Sequence, residues 1–423
     1  MRSRFLQGVQ LLAGAGQAPR RADVLLENGT IAAFDADAAE RAGALGLRPI
    51  QAGSWLLAPA LVDPHSELED PHSGAAETLA SLERSAIAAG YGTVALLPQA
   101  HTWRDRPECL HLPASSRLRL LLWGSVSRAG RGEELASHAD QLAAGAVGLA
   151  EGPELPPLPL LERGLQLGEM GAAPVLLAAR DASLSQQGFV RAGVEALRAG
   201  WPMDPPLSET LPLQSLLSLA RLFPQRRLQV MNVSTAQGLA ELGQWAGPQR
   251  PEATVCWWHL LVDSGSLDPL AEGWRVVPPL GTPADREALI AGLATGLITA
   301  VAVHHAALDP EEQLLPLDQR KPGVAGHRFV LPSLWAELVQ RRGWSVEQLW
   351  QALCFGPAEL LGLQAPSLSR GSGDWILFDP QQEWHPAQDP HGPLAANQPL
   401  ASQPLRGQVL ATGLNVGLWR GPG

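Results

Sequence analysis

Eight short apolar runs, separated by longer helix-like stretches, constrain the fold of this 423-residue chain more than any other feature. The runs lie at 56–63, 92–98, 118–123, 145–150, 174–179, 228–232, 253–257 and 298–303. Segments such as AETLASLERSAIAAG lie between them, which is the pattern of βα units around a parallel sheet. Eight such units predict a closed (β/α)8 barrel of the TIM type, with an open doubly wound sheet as the alternative.

The two ends of the chain have a different pattern. DVLLENGTIAAF contains two alternating apolar runs around Asn28 and Gly29, a strong signal for a β-hairpin. Near the other end, GSGDWILFDPQQEW is again short, alternating and rich in turn residues. We therefore predict one small β domain formed by residues 1–55 and 366–423, beside a barrel formed by residues 56–365.

Composition excludes several classes of partner. The chain has 31 basic and 42 acidic side chains, a formal net charge of −11. Such a surface repels phosphate backbones and anionic lipids, so we expect neither a nucleic-acid nor a membrane partner. Three widely spaced cysteines, with no C-x-x-C pair, are typical of a reducing compartment, so we expect a cytoplasmic protein.

In a barrel of this kind, functional side chains follow the carboxyl ends of the strands. The first run is followed by DPHSELEDPHSG, in which His65 and Glu67 are two positions apart and point to the same side of an extended segment. This pair is either half of a metal site or part of a solvated polar loop. The residue pattern alone favours the solvated loop.

The segment LLAPALVDPHSELEDPHSGAAETLASLERSAIAAGYGTVALLPQA resembles the dihydroorotases of the amidohydrolase superfamily. Further segments follow in the order that the family has: MNVSTAQGLAEL, VCWWHLL, RVVPPLGTPADREALIAGLATGLITAVAVHHA, KPGVAG, FGPAELLGL and SGDWILFDP. The resemblance covers nearly the whole chain. It implies the same fold as the strand count, a barrel with a flanking β domain.

The resemblance also implies where a metal would be held, and most of those positions have changed. The family has two histidines on strand one, a lysine or aspartate on strand four, histidines on strands five and six, and an aspartate on strand eight. At these positions the sequence has His65, Glu67, Glu151, Ala178, Asn232 and His304. His304 also replaces the family's general base. We therefore assign no catalytic or metal-binding residue and expect no cofactor.

The residues that bind substrate in the family are altered as well. Glu69 and Gln99 stand where the family has an arginine and an asparagine for the substrate's carboxylate, and Gly281 stands in place of a second arginine. Replacing a guanidinium by a carboxylate turns attraction into repulsion. An anion such as dihydroorotate should therefore be rejected.

Three hypotheses follow. The first is a dihydroorotase-like protein without catalytic activity, with a structural or regulatory role in pyrimidine biosynthesis as a partner of aspartate carbamoyltransferase or through self-association. The second is an active zinc-dependent cyclic amidohydrolase whose single metal ion is held by His65, Glu67, Glu151 and His304. The third is a binding protein whose acidic barrel mouth, with Glu67, Glu69, Asp70 and Glu151, takes a neutral or cationic ligand.

Overall fold

The N-terminal segment forms the predicted hairpin. The computed structural model describes residues 3–112, 117–266, 275–316 and 319–421. Strands β1 (Arg4–Leu11), β2 (Arg20–Glu27) and β3 (Thr30–Phe34) are antiparallel neighbours. Asn28 and Gly29 join β2 to β3 with φ angles of 54° and 84°. Two-residue hairpin turns need positive φ at both central residues, which Asn and Gly adopt readily.

The remaining strands follow in chain order. They are β4 (Pro49–Gln51), β5 (Leu56–Pro59), β6 (Leu61–Ser66), β7 (Tyr91–Leu96), β8 (Arg119–Leu122), β9 (Gly124–Ser125), β10 (Leu149–Ala150), β11 (Pro174–Ala178), β12 (Val190–Arg191), β13 (Met203–Asp204), β14 (Arg227–Met231), β15 (Glu252–Cys256), β16 (Ala300–Ala302), β17 (Trp375–Trp384), β18 (Leu405–Thr412) and β19 (Asn415–Trp419).

Most of the helices follow barrel strands. They are α1 (Asp35–Ala44), α2 (Leu79–Ala88), α3 (His138–Ala143), α4 (Leu158–Leu167), α5 (Val194–Ala199), α6 (Leu207–Leu222), α7 (Ala236–Gly243), α8 (Pro283–Ala294), α9 (Pro310–Gln313), α10 (His327–Leu334), α11 (Val346–Trp350) and α12 (Gly356–Leu360). Two π-helical stretches, Trp335–Arg341 and Gln351–Phe355, continue α10 and α11. Among the helices described, none is long and apolar enough to cross a membrane.

Both ends of the chain contribute to one small sheet, as the sequence predicted. Its order is β19-β18-β17-β5-β1-β2-β3, and β4 pairs with β1. Leu56–Pro59 belongs to this sheet, where it pairs with β17 and β1. The boundary between the small β domain and the barrel, which we placed before residue 56, therefore lies four residues later, after Pro59. LLAPALVD is one continuous apolar run, and nothing in its pattern shows that the chain changes sheets at Ala60.

The barrel is closed. Parallel ladders join β6 to β7 and β8, and join β9 through β10, β11, β14 and β15 to β16. β8 and β9 are two consecutive parts of the third strand. The eighth strand returns to the first: the His304 backbone N–H donates to the His65 carbonyl (3.1 Å), and the Val303 N–H donates to Asp63 Oδ1 (3.0 Å). This closure confirms the predicted barrel and excludes an open doubly wound sheet.

Candidate functional site

Two histidines at the carboxyl ends of β6 and β16 contact each other at the barrel mouth. Their Nδ1 atoms are 3.2 Å apart, and the rings meet edge to face with centroids 5.2 Å apart. His65 is fully buried, and its Nε2 lies 2.9 Å from the Thr254 hydroxyl on β15. The structure thus brings together two of the residues singled out in the sequence, His65 and His304, but as partners of one another.

One assignment of the protons satisfies all of these hydrogen bonds. The Thr254 hydroxyl oxygen accepts from the Asn232 backbone N–H (2.9 Å), so its own proton is free to be donated to His65 Nε2. His65 then carries its proton on Nδ1 and donates it to His304 Nδ1. His304 in turn bonds to the Val277 carbonyl, which only an N–H can do. In this arrangement neither ring nitrogen of His65 keeps a free lone pair.

Both imidazoles are neutral at pH 7. Burial lowers the pKa of His304 to about 4, because the charged ring would lose its hydration. Burial also lowers the pKa of His65 well below its usual range, and the neighbouring His304 lowers it further. Neutral rings suit the hydrogen-bond chain, since each ring then has one donor and one acceptor.

The residue matched to strand four, Glu151, is held away from the two histidines by its own partners. Its Oε2 accepts from the Ser127 backbone N–H (2.9 Å), and its Oε1 accepts from the Ser127 hydroxyl (2.7 Å). Burial nevertheless raises the pKa of Glu151 to about 7. Glu151 fastens the segment that follows β9 to the end of β10. This is a structural role that the sequence did not reveal.

The acidic residues after the first barrel strand differ in exposure and in their partners. Glu67 donates its backbone N–H to the His305 carbonyl (2.8 Å), and burial raises the pKa of its carboxyl to about 7. Glu69 is exposed and lies 3.9 Å from Lys321. Asp70 accepts from the backbone N–H groups of residues 72 and 73. Among the described residues, no three His, Cys, Asp or Glu side chains form a group that could hold a metal ion, so Glu67 and Glu151 do not complete the four-residue zinc site. The acidic ligand pocket stays a prediction.

The positions matched to substrate binding offer no cation. Gln99 is half-buried, and Glu69 faces solvent. A Cβ atom at Gly281 would lie 2.6 Å from the Asp285 Cβ, so the backbone has no room for an arginine there without a shift. His259, in the segment VCWWHLL, donates Nε2–H to the Pro278 carbonyl (3.0 Å), and burial lowers its pKa to about 4.

Sequence reasoning missed a buried ion network beside the mouth. Arg191 on β12 is fully buried and pairs with Asp204 (3.1 Å) and Glu209 (3.1 Å). Asp204 also lies 3.4 Å from Arg180, which follows β11. Glu209 accepts from the backbone N–H of Ser234 and so ties the end of β14 to α6. Of these four charged residues, Arg180 alone directly follows one of the eight apolar runs.

A second buried cluster lies behind the first and eighth strands. Asp63 accepts from His327 Nε2 (3.0 Å) at the start of α10, and His305 Nε2 lies 3.3 Å from Glu77 before α2. The His305 and His327 rings are 5.0 Å apart. These contacts join β6, β16, α2 and α10. His305 is thus a buried histidine between Glu77 and His327.

A small pocket lies at the barrel mouth. Its cavity volume is about 20 Å³, and its polar lining includes Arg180, Asn232 and His304. Ala178 and Pro278 are among its apolar walls. A volume of this size corresponds to about one or two water molecules. A six-membered ring would need these side chains to move.

Comparison with known proteins gives the family. A protein of Synechocystis sp. described as a probable dihydroorotase-like protein is 33% identical over 395 residues, which are 84% of this chain and 87% of that protein. This chain belongs to the dihydroorotase-like family. A dihydroorotase of Solibacter usitatus is 26% identical over 414 residues, 96% of this dihydroorotase-like chain and 95% of its own length. No family model matches the sequence.

Solved structures agree on the fold. The L-hydantoinase (dihydropyrimidinase) of Arthrobacter aurescens superimposes on this dihydroorotase-like chain with a TM-score of 0.80 and 20% identity, covering 97% of this chain and 94% of the other. A D-hydantoinase gives a TM-score of 0.77 at 16% identity, covering 97% and 94%. At these identities the likeness concerns the architecture, a barrel with a flanking β domain.

A zinc ion does not fit the residues that this dihydroorotase-like chain has at the family's metal positions. Catalytic zinc sites need about three protein ligands around one open position. Ala178 has no lone pair, Glu151 is bonded to Ser127, and His65 and His304 are bonded to each other. Within the described ranges, no three His, Cys, Asp or Glu side chains converge so that they could hold a metal ion.

Proposed function

We propose that this dihydroorotase-like protein is a catalytically inactive member of its family with a structural or regulatory role linked to pyrimidine biosynthesis. The observation that carries the proposal is the hydrogen bond between His65 and His304. In this bond His304 Nδ1 uses its lone pair, and the lone pair of His65 Nε2 is used by the Thr254 hydroxyl, so neither lone pair is free for a metal ion. A metal-activated water is the usual nucleophile in this kind of hydrolysis. Without a bound metal ion, the protein supplies no activated water to attack the amide carbon of a substrate.

The substrate side supports the same proposal independently. Dihydroorotate is an anion, and binding it requires cations at the barrel mouth. Glu69 places a negative charge where the family has an arginine, and the backbone at Gly281 packs against Asp285. Arg180 lines the pocket, but its charge is shared with Asp204. The mouth therefore has no uncommitted positive charge among the residues described to attract a carboxylate.

We further propose aspartate carbamoyltransferase as the partner, in the cytoplasm. If a chain keeps the whole fold but lacks the catalytic groups of its family, its role depends on the surface that it offers to other proteins. The partner assignment follows from the family resemblance, in which inactive dihydroorotase-like chains assemble with this transferase. Self-association is the other assembly that such a surface allows.

The experiment combines a turnover assay and an assembly assay on one sample. The chain is purified in buffers containing zinc. Both the hydrolysis of dihydroorotate and the reverse ring closure are measured, with an active dihydroorotase as the positive control. The same sample is mixed with the aspartate carbamoyltransferase of its own organism and analysed by light scattering after gel filtration. We expect no turnover and a complex of the two chains.

Two outcomes would contradict the proposal. Hydrolysis above the uncatalysed rate that disappears in the His65→Ala variant would favour the zinc-dependent amidohydrolase instead. Two separate peaks, one for each chain, at micromolar concentration would remove the transferase as the partner. In that case a dimer of this chain alone would identify self-association as the assembly.

A further inference from the structure

Helix α6 presents a stripe of uncharged side chains to solvent. Leu207, Leu211 and Leu222 on this helix are 48%, 43% and 61% exposed. Together with Ser215 and Ser218 they recur every three or four positions, so all five lie on one side of the helix. The opposite side of α6 is buried against the barrel. The helix therefore carries leucines toward both the barrel and the solvent.

The outer side of α6 lacks the charges that a surface helix normally has. From Leu207 to Ala220 the sequence has one charged residue, Glu209, and its side chain is buried. The neighbouring helix α4, in contrast, carries the exposed Glu162 and Arg163. A surface helix typically has charged side chains opposite its buried stripe, and a helix that is apolar all round is typically covered. This pattern indicates that another protein surface covers α6.

The two serines of the stripe add no unpaired donor. The Ser215 hydroxyl donates to the Leu211 carbonyl (3.1 Å), and the Ser218 hydroxyl donates to the Gln214 carbonyl (2.8 Å). The Gln214 side chain donates to Glu241 on α7 (2.9 Å). Since these donors are already bonded within the chain, covering them costs little hydration. The small serines also let a second helix approach closely.

The stripe is complementary to a second copy of itself. In an antiparallel pair of α6 helices centred near Ser215, Leu207 of one copy meets Leu222 of the other. Leu211 likewise meets Ser218, and each contact occurs twice, as in a two-fold symmetric dimer. Two copies with a formal net charge of −11 repel each other, so an uncharged surface is where they can associate.

Opposite charges at the two ends of α6 favour the antiparallel direction. Arg221, in the last turn, is exposed, and its guanidinium lies over the Trp245 ring (4.9 Å). Asp181 lies beside the first turn, where its backbone N–H donates to the Ser208 carbonyl (2.9 Å), and its carboxylate accepts from Ser183. An antiparallel pair brings the Arg221 of each copy to the first turn of the other, and so to Asp181. Charge pairs at the edge of a contact fix its orientation.

Helix α4 extends the apolar surface beside α6. Arg226, which follows α6, donates to the Leu165 carbonyl (3.1 Å) and ties the ends of the two helices together. Leu158 and Leu167, near the start and at the end of α4, are exposed. A 16-residue helix is about 24 Å long and about 10 Å wide, so its face alone is smaller than the roughly 800 Å² that each partner of a stable dimer buries. The leucines of α4 therefore enlarge the contact.

We propose that two copies of this chain form a two-fold symmetric dimer through the outer sides of their α6 helices, packed antiparallel and flanked by α4. The inference goes beyond the proposed function and does not depend on it, because the stripe lies on the outside of the barrel. A dimer that hydrolyses dihydroorotate would overturn the proposed function and leave this inference intact.

Light scattering after gel filtration of the full chain, at micromolar concentration, is the first measurement. We expect twice the 44.9 kDa mass of one chain. Leu211→Glu places unpaired charges inside the contact and should raise the dissociation constant of the dimer by about tenfold or more. Leu45→Glu is the control, because Leu45 is 53% exposed but follows α1 in the small β domain. This variant should remain a dimer, and circular dichroism verifies the fold of every variant.

A charge exchange tests the antiparallel direction. Arg221→Glu and Asp181→Arg should each weaken the dimer by about threefold or more, because each places like charges opposite one another. The double variant should recover most of this loss, since it restores opposite charges across the contact.

Three results would overturn the inference. They are a monomeric parent chain at micromolar concentration, a Leu211→Glu variant that dimerises like the parent chain, and a double variant that is no better than the single variants. If the parent chain is monomeric and Leu211→Glu instead abolishes a complex with aspartate carbamoyltransferase, the stripe is the surface that binds this transferase.

Discussion

Replacing Thr254 with valine should destabilise the chain by about 2–4 kcal/mol. The Thr254 hydroxyl makes two buried hydrogen bonds, one with His65 Nε2 and one with the Asn232 backbone N–H, both 2.9 Å long. Valine keeps the β-branched shape of threonine but leaves both partners unpaired. His65 is fully buried and Asn232 nearly so, and an unpaired buried polar group costs about 1–3 kcal/mol.

Urea denaturation followed by tryptophan fluorescence measures this loss, provided that the slope of the transition is unchanged. Thr93→Val, the same substitution on β7, is the control and should change the free energy of unfolding by less than about 1 kcal/mol. The hydrogen-bond chain is refuted if the free energy of unfolding of Thr254→Val lies within about 0.5 kcal/mol of that of the parent chain, since substitutions that break no buried interaction already produce changes of that size.

Three further predictions concern the same region. The free energy of unfolding should rise as the pH is raised from about 4 to 6.5, because the unfolded chain binds a proton at His304 that the folded chain, with a His304 pKa of about 4, does not bind. His304→Asn should flatten this rise in urea titrations at several pH values. An unchanged dependence of the unfolding free energy on pH would contradict the prediction. Arg191→Met should cost about 3–5 kcal/mol in the same assay because it leaves two carboxylates buried, against less than about 1 kcal/mol for the exposed Arg20→Met. Gly281→Arg, which restores a family cation, should lower the melting temperature because a Cβ atom at this position overlaps Asp285. The variant should also show no affinity for dihydroorotate in calorimetry. A stable variant that binds the anion would show that the site lacks a positive charge but not the space for one.

The barrel could be predicted from the sequence because most of its strands are buried apolar runs. The eight apolar runs match the eight barrel strands, and the Asn28–Gly29 pair marks the first hairpin. The shift of the first strand to Leu61–Ser66 could not be predicted. An apolar run that passes from one buried sheet to another changes neither its composition nor its period.

The candidate site was only partly predictable. His65 could be located because it stands at the end of the first apolar run, and His304 because the family resemblance implies a functional residue at the end of the eighth strand. Their mutual hydrogen bond depends on Thr254, which looks like an ordinary strand residue. Asp204 and Glu209 were hidden for another reason: they lie within the long segment between the fifth and sixth barrel strands, and only the fold brings them to Arg191.

The most direct test of the account is the ¹⁵N chemical shifts of the His65 and His304 imidazoles, recorded before and after one equivalent of zinc. The account predicts that His65 carries its proton on Nδ1 and His304 on Nε2, that the two Nδ1 atoms share a hydrogen bond, and that zinc leaves all four resonances unchanged. If zinc instead moves these resonances to the positions of metal-bound nitrogens, the two histidines are ligands, and the claim that they satisfy each other is wrong.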